Sequence, residues 1–160
     1  MTTAKAVVFR DMRPGEEVFL VALVVSVWEK TSMAKLITDR VGKMNGYEWT
    51  DNKADEALAD ISGADVVLVG EADGKLASFA TVHYSPKYAM ARVAHFAVAR
   101  ECQGRGVGRA MMEALLSRMR RDGMKYARVE AMEHNAPAVS LYKSAGFDEL
   151  TRQVCLFREL

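Results

Sequence analysis

"QGRGVGRAMMEALLSRMRRDG", residues 103–123, dominates the fold prediction because a glycine-rich turn leads directly into a helical pattern. Gly104, Gly106 and Gly108 alternate before apolar residues that recur every three or four positions, which is typical of a helix with one core face. The first N–H groups of such a helix have no carbonyl partner within it and point outward as donors. Because glycine has no Cβ, a ligand oxygen can approach this backbone closely.

The charge distribution favours an anionic ligand at this turn. The 160-residue chain has a net charge of only +1. Residues 1–80 carry 9 Lys and Arg against 13 Asp and Glu, whereas residues 81–160 carry 13 against 8. Arg105 and Arg109 stand on either side of the turn, and the helix dipole also favours a negative group there. We therefore expect residues 103–108 to bind a diphosphate, with an ordinary tight turn as the alternative interpretation.

Two common nucleotide-binding motifs do not fit this stretch. A Walker loop requires a Lys followed by Ser or Thr after its glycines, and neither pair follows here. A dinucleotide fingerprint requires GxGxxG after the first strand of a parallel unit, whereas "GRGVGR" lies two thirds of the way along the chain. The pattern therefore disfavours ATP or GTP hydrolysis and dinucleotide binding.

The rest of the chain predicts one α+β (α/β) domain over residues 1–160, with a mixed sheet covered by helices. Asp73-Gly74 between two apolar runs predicts a hairpin with strands at about 65–71 and 75–84. We expect further strands at 5–10, 91–99, 125–132 and 151–159. The expected helices cover 18–28, pieces of 31–63, the segment after the glycines up to Gly123, and 135–145.

Composition excludes several other classes of protein. Cys102 and Cys155 have neither metal-site nor disulfide-framework spacing, so we expect a reduced, cytoplasmic protein without a metal. The apolar run at 18–28 is well short of the ~20 residues that a membrane-spanning helix needs. No secretory signal and no basic stripe with interleaved aromatic residues is evident, so we expect neither a membrane nor a nucleic-acid partner.

Two motifs in register carry a family resemblance. "FAV" at 96–98 precedes Q-x-x-G-x-G at 103–108, and after a helix and a strand comes Asn135-x-x-Ala138-x-x-Leu141-Tyr142-x-x-x-Gly146-Phe147. This order resembles the GNAT superfamily of acetyl-coenzyme A dependent N-acetyltransferases. The resemblance covers residues 65–158 well and the first 60 loosely. It implies a mostly antiparallel central sheet flanked by helices, with a cofactor-binding strand that is splayed from its neighbour.

The resemblance also implies which residues bind acetyl-coenzyme A. Backbone groups of the splayed strand would pair with the pantetheine arm, and the turn would hold the diphosphate. These residues are Phe96, Ala97, Val98, Gln103, Gly104, Arg105, Gly106, Val107, Gly108 and Arg109, with Asn135 as a further contact. Asn135 stands before Ala-Pro, so it is equally suited to cap a helix. The N–H of Val98 is the expected oxyanion donor.

Two side chains are candidates for proton transfer. Tyr142 matches the family's general acid, and a phenol with a pKa of ~10 is protonated at neutral pH. Many family members carry a Glu or His as base on the cofactor strand, a place that Arg92 and Ala94 take here. Glu130 is the preferred base, since its spacing from Tyr142 is also found in some protein N-terminal acetyltransferases of the family.

Several alternatives stay open at this point. The base can also be His83, His95 or a water relay to solvent. The acceptor can be an aminoglycoside, a polyamine, an amino acid, or an N-terminal or lysine amine of a protein. The resemblance also allows a homodimer, because many members pair. A non-catalytic acyl-coenzyme A binding or sensor module is the second functional hypothesis, and a nucleotide-binding domain is the third.

Overall fold

The computed structural model of the protein describes residues 7–160. Its strands are β1 (Val8–Asp11), β2 (Val66–Ala72), β3 (Lys75–Ser85), β4 (Met90–Val98) and β5 (Tyr126–Val129). Its α-helices are α1 (Glu17–Val27), α2 (Met33–Val41), α3 (Trp49–Gly63), α4 (Val107–Arg121) and α5 (Ala136–Ser144). Within the described residues, no helix is both long enough and apolar enough to cross a membrane.

The five strands form one sheet in the order β1-β2-β3-β4-β5. Neighbouring strands are antiparallel except β4 and β5, which are parallel and connected through α4. The predicted mixed, mostly antiparallel sheet is thus confirmed. The predicted hairpin is confirmed as well, because Ala72 pairs with Lys75 across a two-residue turn in which Asp73 and Gly74 both have positive φ.

Helices cover both faces of the sheet. The His95 ring on β4 stacks on Trp28 at the end of α1 and contacts α3, whereas the ring of Phe96 meets Tyr142 of α5. Successive residues of a strand point to opposite faces, so α1 and α3 cover one face and α5 covers the other. The start of α4 lies on the α5 face, against Val98. The core contains Leu20, Val69, Phe79, Met111 and Leu115, none of them accessible to solvent.

The helix predicted at 18–28 is confirmed as α1. The first strand was predicted at 5–10. It is observed from Val8 to Asp11, and its predicted residues 5 and 6 lie outside the described part of the chain.

The strand predicted at 151–159 is wrong. Residues 148–160 form neither helix nor strand, and every one of them is exposed. Cys155 and Phe157 of this segment contact Met33 and Arg40 of α2, so the segment lies along α2 rather than in the sheet. The alternating apolar pattern is present, but the segment pairs with no strand among residues 7–160.

Candidate active site

β4 and β5 separate halfway along β4. β4 pairs with β3 from Met90 to Val98, whereas its parallel pairing with β5 ends at Val93 opposite Val129. Beyond this point the edge of β4 that faces β5 has no strand against it among the described residues. The splayed strand that the family resemblance implies is therefore present.

Backbone hydrogen bonds show which groups of β4 face this gap. The N–H of His95 donates to Thr81 Oγ1 at 2.8 Å, and the N–H of Ala99 donates to the Ala77 carbonyl at 2.8 Å. Because the direction of backbone groups alternates along a strand, the N–H of Ala97 also points toward β3, whereas the N–H groups of Phe96 and Val98 point into the gap. Of the three residues expected to hold a cofactor by their backbone, the structure thus turns two toward the opening.

A β-bulge lies where the two strands separate. Ala80 pairs with Phe96 and Val82 pairs with Val93, so Ala94 and His95 of β4 together oppose Thr81 of β3. Bulges of this kind bend a strand and increase its twist, which moves it away from a neighbour on its other edge. The bulge therefore accounts for the splay of β4 from β5.

The glycine turn leads into α4 next to the open end of β4. Gly106 is the N-cap of α4 with φ +81°, and Gly104 has φ +70°, so both use the left-handed region that glycine adopts without strain. A Cβ added at either position would meet no atom within 4 Å, so this side of the turn is open. A Cβ added at Gly108 would lie 3.7 Å from Val98 Cγ2, which places the start of α4 directly against the end of β4.

The N–H groups of this turn are unpaired within the described chain. No backbone or side-chain acceptor in residues 7–160 receives a hydrogen bond from the N–H groups of residues 104–109, and the helical ladder begins with Ala110 donating to the Gly106 carbonyl. No side chain caps the helix. Arg105 is exposed, and Arg109 lies 3.7 Å from Glu113 with 64% of its side chain exposed. Free donors and two exposed guanidinium groups at a helix N-terminus suit a diphosphate.

The side chains of Gln103 and Asn135 each form a local hydrogen bond with the backbone. The Gln103 side-chain amide donates to the Val98 carbonyl at 2.9 Å, which ties the turn to the end of β4. Asn135 is the N-cap of α5, where its Oδ1 accepts from the N–H of Ala138 at 3.4 Å. The capping interpretation of Asn135 is thus observed, and its contact with a cofactor stays a prediction.

Tyr142 lies on α5 over the part of β4 that faces the gap. Its ring makes edge-to-face contacts with Phe96 at 6.1 Å and with Phe147 at 6.2 Å between centroids. Burial raises the pKa of Tyr142 to about 12. Among residues 7–160 no hydrogen bond involves its hydroxyl, so the phenolic proton is available to a bound group.

Glu130 is the first residue after β5 and follows the last pair of the β4–β5 ladder, so it stands at the point where the strands diverge. Its side chain is 60% exposed, and its Oε1 lies 3.5 Å from Arg128 Nη2. A loose, exposed ion pair of this kind is weak and leaves the carboxylate in contact with water. The Glu130 carboxylate is thus exposed to water at the point where β4 and β5 diverge.

The two histidines considered as bases belong to a separate cluster on the α3 face. Asp60 of α3 accepts hydrogen bonds from Thr81, from His83 Nε2 at 2.6 Å and from His95 Nδ1 at 2.7 Å. Burial alone would raise the pKa of Asp60, but the hydrogen bonds from His95, Thr81 and His83 lower it well below its usual range. Lys53 Nζ, only 2% exposed, lies 3.2 Å from His95 Nε2. An ammonium has only donors, so His95 accepts from Lys53 and donates to Asp60.

This cluster joins the bulge to α3 and was missed by sequence reasoning. Sequence reasoning assigned no function to Asp60 or to Lys53. With both nitrogens engaged and 3% exposure, His95 anchors the bulge and does not face the gap. The seven-residue spacing of Lys53 and Asp60, which places them on one face of α3, was the available signal.

The fold and site together place an open strand edge beside unpaired N–H groups at the start of α4, an arrangement that suits an extended ligand with an anionic group at one end. The model of the acetyltransferase (GNAT) family matches residues 33–147. The chain belongs to this family, and the resemblance inferred from the two motifs is confirmed.

Two curated proteins similar to this chain are acetyltransferases. It is 35% identical over 88 residues to streptothricin acetyltransferase from Streptomyces lavendulae, covering 55% of this chain and 46% of the relative. It is 34% identical over 79 residues to the ribosomal protein bS18-alanine N-acetyltransferase of Escherichia coli K12, covering 49% of this chain and 52% of the relative. The matched stretch therefore spans about half of each relative.

A solved structure supports the fold over a longer stretch. The PaiA N-acetyltransferase from Thermoplasma acidophilum, determined in complex with coenzyme A, matches with a TM-score of 0.71 at 17% identity. The match covers 92% of this chain and 93% of that structure. At this identity the likeness concerns the fold alone.

Proposed function

We propose that this protein is an N-acetyltransferase that transfers the acetyl group of acetyl-coenzyme A to a primary amine. The observation that carries the proposal is the continuity of two features: the gap beside Phe96 and Val98, and the unpaired N–H groups of residues 104–109. An extended thioester with a diphosphate at one end fits both at once. The name of the Escherichia coli relative, an alanine N-acetyltransferase, supports an amine as acceptor.

The residues present fit the cofactor. The open N–H groups of the turn donate to the diphosphate, and Arg105 and Arg109 add positive charge from either side. Phe96 and Val98 offer strand-like backbone pairing to the pantetheine arm. Gln103 keeps the end of β4 joined to the turn, so both parts of the site hold a constant separation.

Three groups of the chain serve the chemistry. Bound acetyl-coenzyme A supplies a thioester whose carbonyl carbon is open to attack by a neutral amine. The N–H of Val98 donates to the carbonyl oxygen as it gains charge, and such a preorganised donor contributes about 3 kcal/mol. Glu130 accepts the proton that the amine nitrogen loses, directly or through water. Tyr142 donates its phenolic proton to the leaving sulfur, which its raised pKa of about 12 keeps available throughout the neutral range.

Glu130 is preferred as base over the two histidines for a geometric reason. It lies at the divergence of β4 and β5, whereas His83 and His95 are held by Asp60 on the α3 face. The acceptor class covers small-molecule amines and the N-terminal or lysine amines of proteins. An α-amino group, with a pKa of ~8, needs little help from a base.

The test combines binding and turnover. Purified protein is titrated with acetyl-coenzyme A by calorimetry and then incubated with a panel of amines, with free thiol and acetylated product measured. We expect binding, and thiol release that depends on one class of amine. Absence of both would contradict the proposal. Binding without turnover on any amine, unchanged in Tyr142→Phe, would instead identify an acyl-coenzyme A binding module.

A further inference from the structure

The β-bulge of β4 is held in place by a side chain of β3. A bulge disrupts the hydrogen-bond ladder between two strands. At this bulge a hydroxyl supplies an acceptor, because the N–H of His95 donates to Thr81 Oγ1 at 2.8 Å. Thr81 is fully buried, so this bond is shielded from solvent. The direction of the β4 backbone at the bulge therefore depends on where the Thr81 hydroxyl points.

Asp60 of α3 holds this hydroxyl and the His95 ring at the same time. A hydroxyl has one proton and two lone pairs. Thr81 donates its proton to Asp60 Oδ2, so the hydroxyl presents a lone pair to the N–H of His95. The same Oδ2 accepts from His95 Nδ1 at 2.7 Å. One carboxylate oxygen is thus linked to His95 twice, through Thr81 to its backbone and directly to its ring.

Lys53 and Trp28 also contact the His95 ring. Lys53 Nζ lies 3.2 Å from His95 Nε2, and the His95 ring stacks on Trp28 with 5.1 Å between centroids. Lys53 Nζ lies 4.1 Å from the centroid of the Trp28 ring. Burying charged groups costs free energy, and well-packed apolar side chains are often as stable in their place. What the polar groups add is direction, since each hydrogen bond restricts the orientation of His95.

The orientation of His95 is passed to the next peptide unit of β4. The N–H of Phe96 belongs to the planar peptide unit that begins at the His95 carbonyl, so a rotation at His95 turns that N–H. Val98 lies further along the strand and is held separately, because the Gln103 side-chain amide donates to the Val98 carbonyl at 2.9 Å. A change at the bulge therefore reaches Phe96 more strongly than Val98.

We propose that Asp60 and Thr81 are positioning residues for the cofactor: by holding His95 they aim the N–H of Phe96 into the gap between β4 and β5. Both side chains lie on the α3 face of the sheet and act only through His95. The inference rests on the proposed function, since its consequence concerns the pairing of the pantetheine arm with β4. Cofactor affinity depends on the pair, whereas turnover depends on it little, because Gln103 holds the expected oxyanion donor Val98.

The first experiment compares two substitutions at Thr81. Thr81→Val keeps the branched shape and removes the hydroxyl, whereas Thr81→Ser keeps the hydroxyl. We expect calorimetry to show coenzyme A binding weakened about tenfold in Thr81→Val, as for the loss of one buried hydrogen bond, and changed by less than about twofold in Thr81→Ser. At saturating cofactor, kcat of Thr81→Val should stay within about twofold of wild type, as for a group that acts on binding.

A control variant separates positioning from a general loss of stability. Ile61→Val removes one methylene from a core side chain of α3 that is 3% exposed and has no polar group. It should lower the free energy of unfolding without weakening coenzyme A binding. Where Thr81→Val does not fold, Asp60→Asn removes the charge that orients Thr81 and His95, and it should weaken binding in the same direction.

A second experiment observes the backbone without cofactor or activity. NMR of backbone amides in ligand-free Thr81→Val is expected to show faster hydrogen exchange at His95 and a changed shift at Phe96, with residues 104–109 unchanged. A Phe96 amide that does not move overturns the positioning role, whether or not coenzyme A binds.

The binding data decide the same question independently. Unchanged coenzyme A affinity in folded Thr81→Val overturns the positioning role, and so does an equal loss of affinity in Thr81→Ser or Ile61→Val. Wild-type protein that binds no coenzyme A contradicts the proposed function instead, and the Phe96 amide of Thr81→Val then still tests whether Thr81 orients β4.

Discussion

A single methyl group at Gly106 tests whether the glycine turn holds the cofactor. With φ +81°, Gly106→Ala forces a side chain into the left-handed region, which costs about 1 to 2 kcal/mol of stability. The new Cβ meets no protein atom within 4 Å, so it projects into the space where a phosphate would approach. Losing one hydrogen bond to a charged oxygen costs about 1.5 to 3 kcal/mol, which corresponds to a roughly 10- to 100-fold weaker Kd for coenzyme A.

The matched control lies at the other end of the same helix. Gly123 has φ +87° and equally open surroundings, so Gly123→Ala carries the same backbone strain away from the turn. Urea denaturation should show similar losses of unfolding free energy for both variants, while calorimetry shows weaker coenzyme A binding only for Gly106→Ala. Coenzyme A affinities that are equal in the two variants, whether unchanged or equally weakened, would refute the assignment of the turn as a phosphate site.

Three further predictions concern individual side chains. Tyr142→Phe should lower kcat about 10²-fold. Because no group within residues 7–160 forms a hydrogen bond with the Tyr142 hydroxyl, coenzyme A affinity should be unchanged. Steady-state kinetics and calorimetry check both, and a parallel loss of affinity would indicate a packing role. Glu130→Gln should lower kcat/KM most for amines of high pKa, whereas Glu133→Gln, 79% exposed, should have little effect; equal effects across the amine series would argue against Glu130 as base. Asp60→Asn should cost roughly 2 to 4 kcal/mol at neutral pH. Because the pKa of Asp60 is lower in the folded than in the unfolded state, its ionised form stabilises the fold above the unfolded-state pKa of ~4, and this stabilisation is lost as the pH falls from there toward the folded-state pKa. Chemical denaturation of the variant should therefore show a flatter pH dependence in the acid range.

Local sequence signals predicted the elements that depend on neighbours in the chain. Asp73-Gly74 determined the hairpin because both positions adopt positive φ, which those residue types tolerate. The alternating glycines before an apolar periodicity located the start of α4 and its free N–H groups. Each of these features depends on only a few consecutive residues, so it can be predicted without knowledge of the tertiary structure.

Long-range contacts could not be predicted in the same way. The contacts of His95 with Lys53 and Asp60 join residues 42 and 35 positions apart, and only the folded sheet brings them together. The bulge at Ala94 shifts the register of β4 by one residue, which no alternation pattern reveals. Residues 151–159 have the alternating pattern of a strand, but the pattern does not determine the partner, and in the folded chain Cys155 and Phe157 contact α2.

The central claim is that unpaired backbone N–H groups at the start of α4 bind the diphosphate of coenzyme A. Heteronuclear NMR of the backbone amides during a coenzyme A titration tests it most directly. The account predicts that the largest shifts, together with slowed hydrogen exchange, occur in residues 104–109 and at Phe96 and Val98. Saturable binding that leaves these amides unmoved and perturbs a different surface would contradict it.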